Sequence, residues 1–236
     1  MFPELDETQR ITFPNPLETD DEGLVAMGGN LSPGVLLSAY EQGIFPWFDE
    51  SNPILWWSPN PRCVLKPEER HVSSSMKKLL GSGLYTVTFD TAFQSIIKNC
   101  AGIKRKKQKG TWITPEMQEA YFRMHVLGYA HSVEVWENGE LAGGLYGLAL
   151  GNMFFGESMF SFKTNASKTA FLTLAAFLEK KHFSLIDCQL YTDHLASLGA
   201  VKMERKDFLN HLSENLDGSG LRGNWSMYNQ QLDPNC

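Results

Sequence analysis

A two-residue turn in the second half of the chain constrains the fold more than any other short feature. Asn138 and Gly139 lie between residues 131–136, where apolar and polar residues alternate, and the largely apolar residues 140–150. An Asn-Gly pair supplies the backbone angles of a tight hairpin. We therefore expect these runs to form adjacent antiparallel strands, with residues 152–155 as a third strand.

Helical and extended segments surround this hairpin. Further strands are expected at residues 85–89 and 183–189, and the predicted helices of this part of the chain cover residues 91–101, 114–128, 165–181, 193–198 and 204–216. Thr114 is the expected cap of the second of these helices. The element order predicts a mixed sheet in an α/β (α+β) fold. The order resembles that of the Gcn5-related N-acetyltransferase fold.

The beginning of the chain has a different character. Residues 31–43 read as a helix that is capped by Ser32, starts with Pro33 in its first turn and stops at Gly43. Residues 44–61 hold three of the six tryptophans and four of the eleven prolines, so they cannot form a regular helix. We therefore expect a small N-terminal domain over residues 1–62 and a larger domain over residues 63–236.

Composition excludes several classes of protein. The 236 residues are 42% hydrophobic and 20% charged, so a packed core is expected and disorder is not. The beginning of the sequence lacks the pattern of a secretory signal, and no apolar run reaches membrane-spanning length. The four cysteines form no CxxC pair, and the histidines lack metal-ligand spacing. We therefore expect a cytoplasmic protein that uses no membrane and no metal.

Charge is distributed unevenly along the chain. The formal net charge of −6 argues against bulk nucleic-acid binding. The segment after the helix at 91–101 is nevertheless strongly basic, and a local basic patch can hold phosphates. A solvated, charged loop is the plainer alternative. The candidate phosphate-binding residues in this segment are Lys104, Arg105, Lys106, Lys107 and Lys109.

Aromatic residues accompany two of these segments. Trp47, Trp56 and Trp57 lie in the proline-rich stretch, and Trp112 follows the basic run directly. The flat rings can stack on a nucleobase. They can equally well be packing residues of the core.

Three polar residues stand in otherwise apolar surroundings. Glu157 lies between two apolar stretches, where an acid is costly to bury without a partner. Asp187 and Gln189 end an apolar strand, and alternation places them on one face with Cys188 on the other. Such a pair can orient a nucleophile, although an ordinary polar strand end is also possible. The GxSxG pattern is absent, so no hydrolase triad is indicated. The P-loop and dinucleotide-binding glycine patterns are also absent, and no cofactor is expected.

Nine segments together resemble the leucyl/phenylalanyl-tRNA–protein transferase family, in order and at that family's spacing. They are LSP (31–33), GIFPWF (43–48), PILWWSP (53–59), GTWIT (110–114), HSVEVW (131–136), GESMFS (156–161), NASKTA (165–170), DCQ (187–189) and HxASLGA (194–200). The resemblance implies an aminoacyltransferase of the N-end rule pathway. Its partners would be aminoacyl-tRNA carrying Leu or Phe (Met less well) and proteins with N-terminal Arg or Lys. We expect a monomer.

The resemblance also implies a set of site residues. Asp187 and Gln189 match the catalytic pair of the family, and Glu157 matches an acid of its cleft. Trp47 and Trp112 fall where aromatic residues approach the terminal adenosine of the tRNA. Leu174 stands where some members have Phe, and Leu145 stands where Met is expected; both keep the pocket apolar. The expected apolar pocket for the donor side chain is lined by Leu145, Phe154, Met159 and Ile186.

Two rival functions fit the same elements. A CoA-dependent acetyltransferase would place a glycine-rich turn at a helix start to bind the pyrophosphate, whereas residues 162–168 contain no glycine. A non-catalytic module that binds tRNA or protein N-termini is the second rival. The polar pair Asp187 and Gln189 favours catalysis over this module.

Overall fold

The computed structural model describes residues 3–103, 111–218 and 220–232. The strands within these ranges are β1 Leu24–Met27, β2 Phe45–Pro46, β3 Leu55–Trp57, β4 Arg62–Leu65, β5 Thr86–Phe89, β6 Ala130–Glu137, β7 Glu140–Leu150, β8 Met153–Ser161, β9 Leu185–Gln189 and β10 Val201–Met203. The α-helices are α1 Pro33–Glu41, α2 Ser74–Leu80, α3 Phe93–Gly102, α4 Pro115–Val126, α5 Ala166–Lys180, α6 Asp193–Ala196 and α7 Arg205–Asn215. Short 3-10 helices cover Pro16–Glu18, Pro67–Glu69 and Trp225–Gln231.

A seven-stranded sheet organises most of the chain. Its strand order is β10-β4-β9-β8-β7-β6-β5. Strands β8 and β9 run parallel, whereas the other neighbours are antiparallel. This mixed sheet with its flanking helices confirms the predicted α/β fold class. Helix α5 connects the two parallel strands, as a crossover between parallel neighbours requires.

The predicted hairpin is confirmed and forms strands β6 and β7 of this sheet. Glu137 pairs with Glu140 across the turn, and Asn138 and Gly139 both have positive φ angles. The pairing of β7 with β8 shifts register between Tyr146 and Gly147. A Cβ atom at Gly147 would lie 2.2 Å from the carbonyl oxygen of Phe155. This position therefore requires glycine. The extra residue of the bulge is Glu157, between Gly156 and Ser158, so β8 is the strand that bends here.

The two faces of the sheet contribute to two hydrophobic cores. Leu145 and Phe154 pack with helix α5, whereas the adjacent residues Tyr146 and Phe155 pack with helices α1, α3 and α4. Successive residues of a strand point to opposite faces, which explains this division. No helix in the described ranges is long and apolar enough to cross a membrane.

The N-terminal part forms its own three-stranded sheet in the order β1-β3-β2. The prediction that residues 44–61 are not helical is confirmed, because they contain β2 and β3 joined by irregular segments. Trp56 is buried, and its indole Nε1–H donates to the Gly28 carbonyl at 2.9 Å. The proposed domain boundary after residue 62 stays a prediction.

Two sequence predictions about local structure have different outcomes. Ser32 precedes α1, but its hydroxyl accepts a hydrogen bond from the Leu5 amide at 2.9 Å rather than capping its own helix. The amide that donates to the Ser32 hydroxyl therefore belongs to the N-terminal segment and not to the first turn of α1. Thr114 does cap α4, because its hydroxyl accepts from the Met117 amide. The short elements β4, α2 and β10 were not predicted.

Candidate active site

The candidate site lies where the two parallel strands of the large sheet separate. Pairing of β8 with β9 ends at Phe155 and Asp187. Beyond that pair, β8 continues along β7, while the end of β9 pairs with Cys63 of β4. The divergence opens a cavity of about 440 Å³ between the strands. This volume lies in the range of small-molecule sites.

One wall of the cavity is apolar and contains the predicted pocket residues. Leu145, Phe154, Met159 and Ile186 all line it. Helix α5 adds Phe171 and Leu174 to the same wall. Phe171 was not predicted, because helical periodicity identifies a buried face without identifying what that face contacts.

The tryptophans have divided roles. Trp47 and Trp112 both line the cavity, and Trp47 is 40% exposed. Trp57 packs edge-on against Trp47, and its indole Nε1–H donates to the Trp47 carbonyl at 2.7 Å. Trp56, in contrast, is a core residue. The packing interpretation thus applies to Trp56, and Trp47 and Trp112 present aromatic surface to the cavity.

Glu157 lines the cavity and forms the centre of a buried polar cluster. Its Oε1 accepts from the Tyr40 hydroxyl at 2.7 Å and from the Gln189 amide Nε2 at 2.8 Å. Its Oε2 accepts from the Tyr121 hydroxyl at 3.1 Å, and the two tyrosine hydroxyl oxygens are also in contact with each other. We call Tyr40, Tyr121, Glu157 and Gln189 the Glu157 cluster.

Burial dominates the electrostatics of this cluster. It raises the pKa of Glu157 from its ordinary value of 4.5 to about 7, although the bonds from Tyr40, Tyr121 and Gln189 oppose the rise. Burial, followed by the charge of Glu157, also raises the pKa of Tyr40 and Tyr121 well above the ordinary value. The phenols therefore stay protonated and donate, and Glu157 can change its charge near neutral pH.

The tyrosines of the cluster were not predicted. Tyr40 lies on α1 and Tyr121 on α4, both fully buried among apolar neighbours. A tyrosine on an apolar helix face usually reads as a packing residue, since its ring supplies most of its surface. The available signal was the hydroxyl itself, because a buried hydroxyl needs a hydrogen-bond partner.

Asp187 lies behind the cavity wall instead of lining it. Its two carboxylate oxygens bind Arg62 Nε at 2.9 Å and Nη2 at 2.7 Å, and Oδ1 also accepts from the Gln189 backbone amide at 2.9 Å. Both ionic side chains are almost completely buried. Sequence reasoning missed Arg62, because it is distant in sequence from Asp187 and resembles any other arginine of a strand.

This arrangement corrects the predicted alternation at the end of β9. Asp187 and Gln189 were expected to share a face with Cys188 on the other. The Gln189 backbone has a φ angle of 61°, in the left-handed region, so its side chain leaves the strand pattern. Cys188 and Gln189 consequently both line the cavity, whereas Asp187 contacts the Gln189 backbone and not its side-chain amide.

The remaining site prediction concerns the basic run. Lys104, Arg105, Lys106, Lys107 and Lys109 lie outside the described residues. No group of three or more potential metal ligands occurs among the described residues.

Family models match both parts of the chain. The model described as leucyl/phenylalanyl-tRNA protein transferase matches residues 64–213, and the model for the N-terminal domain of that enzyme matches residues 29–60. The chain belongs to this family. It is therefore an enzyme, a transferase, and the family predicted from the nine segments is confirmed.

Individual members of the family are similar over almost their whole length. The leucyl/phenylalanyl-tRNA–protein transferase of Desulfatibacillum aliphaticivorans is 53% identical over 220 residues, which cover 93% of this chain and 94% of that protein. The transferase of the same name from Maridesulfovibrio salexigens is 54% identical over 214 residues, covering 90% and 89% of the two chains. The names of these relatives describe transfer of an aminoacyl group from tRNA to protein.

Similarity to solved structures is remote. L-PGS from Bacillus licheniformis has a TM-score of 0.40 at 12% identity, and the match covers 83% of this chain and 61% of that one. A Gcn5-related N-acetyltransferase from Kribbella flavida has a TM-score of 0.35 at 12% identity and covers 73% and 62%. Neither value is high enough to support an argument about the site.

Proposed function

We propose that this transferase moves Leu or Phe, and Met less well, from aminoacyl-tRNA onto proteins that begin with Arg or Lys. The new peptide bond would mark the acceptor for degradation by the N-end rule pathway in the cytoplasm. The observation that carries the proposal is the cavity itself, whose apolar wall of Leu145, Phe154, Met159 and Ile186 faces the polar Glu157 cluster. Such a cavity suits an apolar side chain attached to a reacting carbonyl.

The apolar wall supports the proposed choice of donor. Pockets built only from apolar side chains separate ligands of similar size poorly. Acceptance of Leu, Phe and Met by one cavity of about 440 Å³ is therefore physically reasonable. Trp47 and Trp112 are the proposed stacking surfaces for the terminal adenosine.

The reaction needs no external energy source. The amine nitrogen of the acceptor forms a bond with the ester carbonyl carbon, the bond from that carbon to the ribose oxygen breaks, and the proton of the amine ends on the ribose oxygen. A terminal amine has an ordinary pKa of about 8, so a minority is already neutral near pH 7. Most of the rate can then come from positioning, without ATP, CoA or another cofactor.

Gln189 is the proposed residue that contacts the attacking amine. Its Nε2 donates to Glu157, which leaves its carbonyl oxygen on the other side of the amide for an N–H of the amine. Glu157, with a pKa of about 7, can exchange a proton in the pH range where the amine does. A second route, in which the 2′-hydroxyl of the tRNA carries the proton, needs Gln189 only for positioning.

Glu157 is the proposed acid that binds the Arg or Lys side chain of the acceptor. Both oxygens of Asp187 bind Arg62, and Asp187 does not line the cavity. Glu157 does line it. An ionised Glu157 would attract the Arg or Lys side chain, as a charge-assisted contact requires.

The proposal is tested by transfer of a radiolabelled amino acid. Purified protein is mixed with labelled Leu-tRNA and a peptide that begins with Arg, without ATP or CoA. We expect label on the peptide, and no label on an N-acetylated copy of the peptide or on a copy that begins with Asp. Absence of transfer to every Arg or Lys peptide, with folded protein and intact charged tRNA, would reject the proposal and favour the non-catalytic binding module.

The basic run is the proposed contact for tRNA phosphates. Replacing Lys104, Lys106 and Lys107 by Gln should weaken tRNA binding and flatten its dependence on salt, by about 0.7 to 0.9 in log–log slope for each phosphate that is no longer neutralised. The control is the double replacement of Lys77 and Lys78 on α2, where Lys77 is exposed. An unchanged slope in the triple variant would reject the assignment.

A further inference from the structure

The end of β9 is held in a conformation that a glutamine rarely adopts. Gln189 has a φ angle of 61°, and the left-handed region costs an ordinary residue about 1 kcal/mol or more. Two bonds close the turn there. The Gln189 amide donates to Asp187 Oδ1 at 2.9 Å, and the Leu190 amide donates to the Cys188 carbonyl at 2.8 Å. The direction of the Gln189 side chain therefore depends on the Asp187 carboxylate.

Asp187 is in turn fixed by Arg62. The guanidinium binds both oxygens of the carboxylate, at 2.9 Å and 2.7 Å, in the paired geometry that only arginine provides. Neither side chain contacts solvent appreciably. Loss of Arg62 would leave a buried carboxylate without its cation, and Asp187 would have to move or change its charge.

Arg62 also contacts the N-terminal part of the chain. Its Nη1 donates to the Gly43 carbonyl at 3.2 Å, and its guanidinium lies 4.7 Å from the centre of the Phe45 ring. Gly43 has a φ angle of 74°, in the left-handed region that favours glycine, and a Cβ atom there would lie 2.3 Å from Leu209 Cδ2. Phe45 and the following residues up to Trp47 line the cavity. The Arg62 side chain thus connects the cavity-lining residues 45–47 to the turn at Gln189.

We propose that Arg62 is a positioning residue of the transfer reaction. Through Asp187 it holds the left-handed turn at Gln189. Through Gly43 and Phe45 it fixes the position of residues 45–47, which line the cavity. This inference rests on the proposed function for its kinetic consequences but not for its structural ones. Arg62 is fully buried and does not line the cavity, so it does not contact the substrate. Its contribution is geometric.

The test compares Arg62→Lys with Arg205→Lys. Arg205 is the matched control, because it is also a buried arginine, bonded to Thr19, Asp20 and Ser58 instead of to the cavity residues. Lysine keeps the charge but cannot bind both carboxylate oxygens in the same plane. Both variants lose packing and hydrogen bonds, so a purely structural effect should be similar in the two.

The first readout does not need catalysis. In protein labelled with 15N-glutamine, the Gln189 backbone amide reports its hydrogen bond to Asp187. We expect Arg62→Lys to shift or broaden this resonance, whereas Arg205→Lys leaves it in place. An unchanged Gln189 resonance in folded Arg62→Lys would overturn the proposal whether or not the protein transfers amino acids.

The second readout is kinetic. A misplacement of the order of 1 Å can cost about 100-fold in rate, so we expect Arg62→Lys to lower kcat about 10- to 100-fold with little change in KM for the aminoacyl-tRNA. In a Gln189→Ala background the same substitution should have a clearly smaller effect on kcat, because the side chain positioned through Asp187 is gone and only the path through Gly43 and Phe45 remains. Equal losses in both backgrounds would indicate a general structural role and reject positioning.

One outcome separates this inference from the proposed function. Suppose that Arg62→Lys shifts the Gln189 resonance but the parent protein shows no transfer activity. Arg62 would then still support the turn, and the proposed function would be rejected. Should Arg62→Lys fail to fold, Asp187→Asn replaces it, since asparagine keeps the shape of the side chain but loses the ion pair. We expect Asp187→Asn to shift the Gln189 resonance as well, and an unmoved resonance there would overturn the proposal.

Discussion

Two buried carboxylates of this protein are bonded in different ways. Glu157 accepts hydrogen bonds from three side chains, those of Tyr40, Tyr121 and Gln189. Asp90 accepts from the backbone amides of Ser132 and Trp225, each at 2.8 Å, and from His131 Nδ1 at 2.9 Å. We call Asp90, His131, Ser132 and Trp225 the Asp90 cluster.

The surroundings of the two carboxylates differ as well. The Trp225 ring lies parallel to His131 with 3.7 Å between ring centres, and the Asp90 side chain is fully buried. The Glu157 cluster is open to the cavity on one side. Backbone amides cannot rotate away from a carboxylate, whereas hydroxyl and amide side chains can. The comparison indicates that the Asp90 cluster anchors the end of the chain and that the Glu157 cluster can rearrange with a bound substrate.

The largest expected effect follows from breaking the Asp90 cluster. Trp225 is fully buried, and Trp225→Ala should lower the free energy of unfolding by about 3 to 5 kcal/mol. Urea unfolding measures this loss. Met227→Ala is the control, because Met227 lies in the same short helix and is 71% exposed, so its effect should stay within about 0.5 kcal/mol.

Activity distinguishes the anchoring role from a role in the site. At a temperature where Trp225→Ala is still folded, we expect its transfer activity per folded molecule to equal that of the parent protein. A loss of kcat larger than the loss of folded protein would mean that the Asp90 cluster contributes to the reaction, and the comparison would fail.

The next effect uses the opposite pH responses of the two clusters. The folded-state pKa of Glu157 is raised from 4.5 to about 7, so the folded protein binds the proton more tightly than the unfolded chain. Stability from this group is therefore present below pH 4.5 and is lost as pH rises towards 7. At about 1.4 kcal/mol per pKa unit, the loss amounts to about 3 kcal/mol.

Glu157→Gln should reveal this loss directly. Relative to the parent protein, the variant should gain about 3 kcal/mol of unfolding free energy between pH 4.5 and 7, because glutamine never takes the charge. Urea unfolding at several pH values measures the difference, and Glu140→Gln, at an exposed residue of β7, shows the effect of removing any one carboxylate from this region. A difference between Glu157→Gln and the parent that stays constant with pH would contradict the raised pKa.

His131 should respond in the other direction. Burial lowers its pKa below the ordinary 6.5 even though the bond to Asp90 opposes this. The folded protein thus holds the neutral form, and stability from His131 is lost as pH falls below about 6.5. The two groups therefore act in opposite directions over the same pH range, because rising pH removes the contribution of Glu157 and restores that of His131.

The sequence predicted some parts of this arrangement and missed others for a physical reason. The Asn138–Gly139 hairpin and the helix cap at Thr114 depend on neighbours in the chain, and both were predicted. Tyr40 and Tyr121 are 81 residues apart, and Arg62 and Asp187 are 125 residues apart. Such pairs exist only after the sheet has formed, so no local pattern contains them.

The residues of the cavity wall were predicted in part. Leu145, Phe154, Met159 and Ile186 line the cavity, and their assignment to the donor pocket stays a prediction from the family resemblance, because their apolar character alone matched any core residue. Gln189 shows the limit of periodicity. Its positive φ angle breaks the alternation that strands normally keep, and nothing in the letters DCQ at residues 187–189 indicates that break. The resemblance identified these residues, and the structure supplied their directions.

The smallest expected effect comes from removing one bond of the Glu157 cluster. The Tyr121 hydroxyl lowers the pKa of Glu157 against the effect of burial, so Tyr121→Phe should raise that pKa further above 7. A hydrogen bond to a charged group contributes about 1.5 to 3 kcal/mol, and the bonds from Tyr40 and Gln189 remain. We therefore expect an upward displacement at the lower end of that range, about one pH unit.

Two measurements report this displacement independently. If ionised Glu157 is the reactive form, the acid limb of the kcat profile should move to higher pH in Tyr121→Phe, and the pH at which stability declines should move with it. The control is Tyr85→Phe, because the Tyr85 hydroxyl bonds the Thr164 carbonyl at 2.9 Å and does not line the cavity. Movement of the stability transition alone would show that Glu157 titrates as argued but that the reaction uses the 2′-hydroxyl route. Movement of neither would mean that the bond from Tyr121 does not tune Glu157, and the contrast with the rigidly bonded Asp90 would lose its chemical basis.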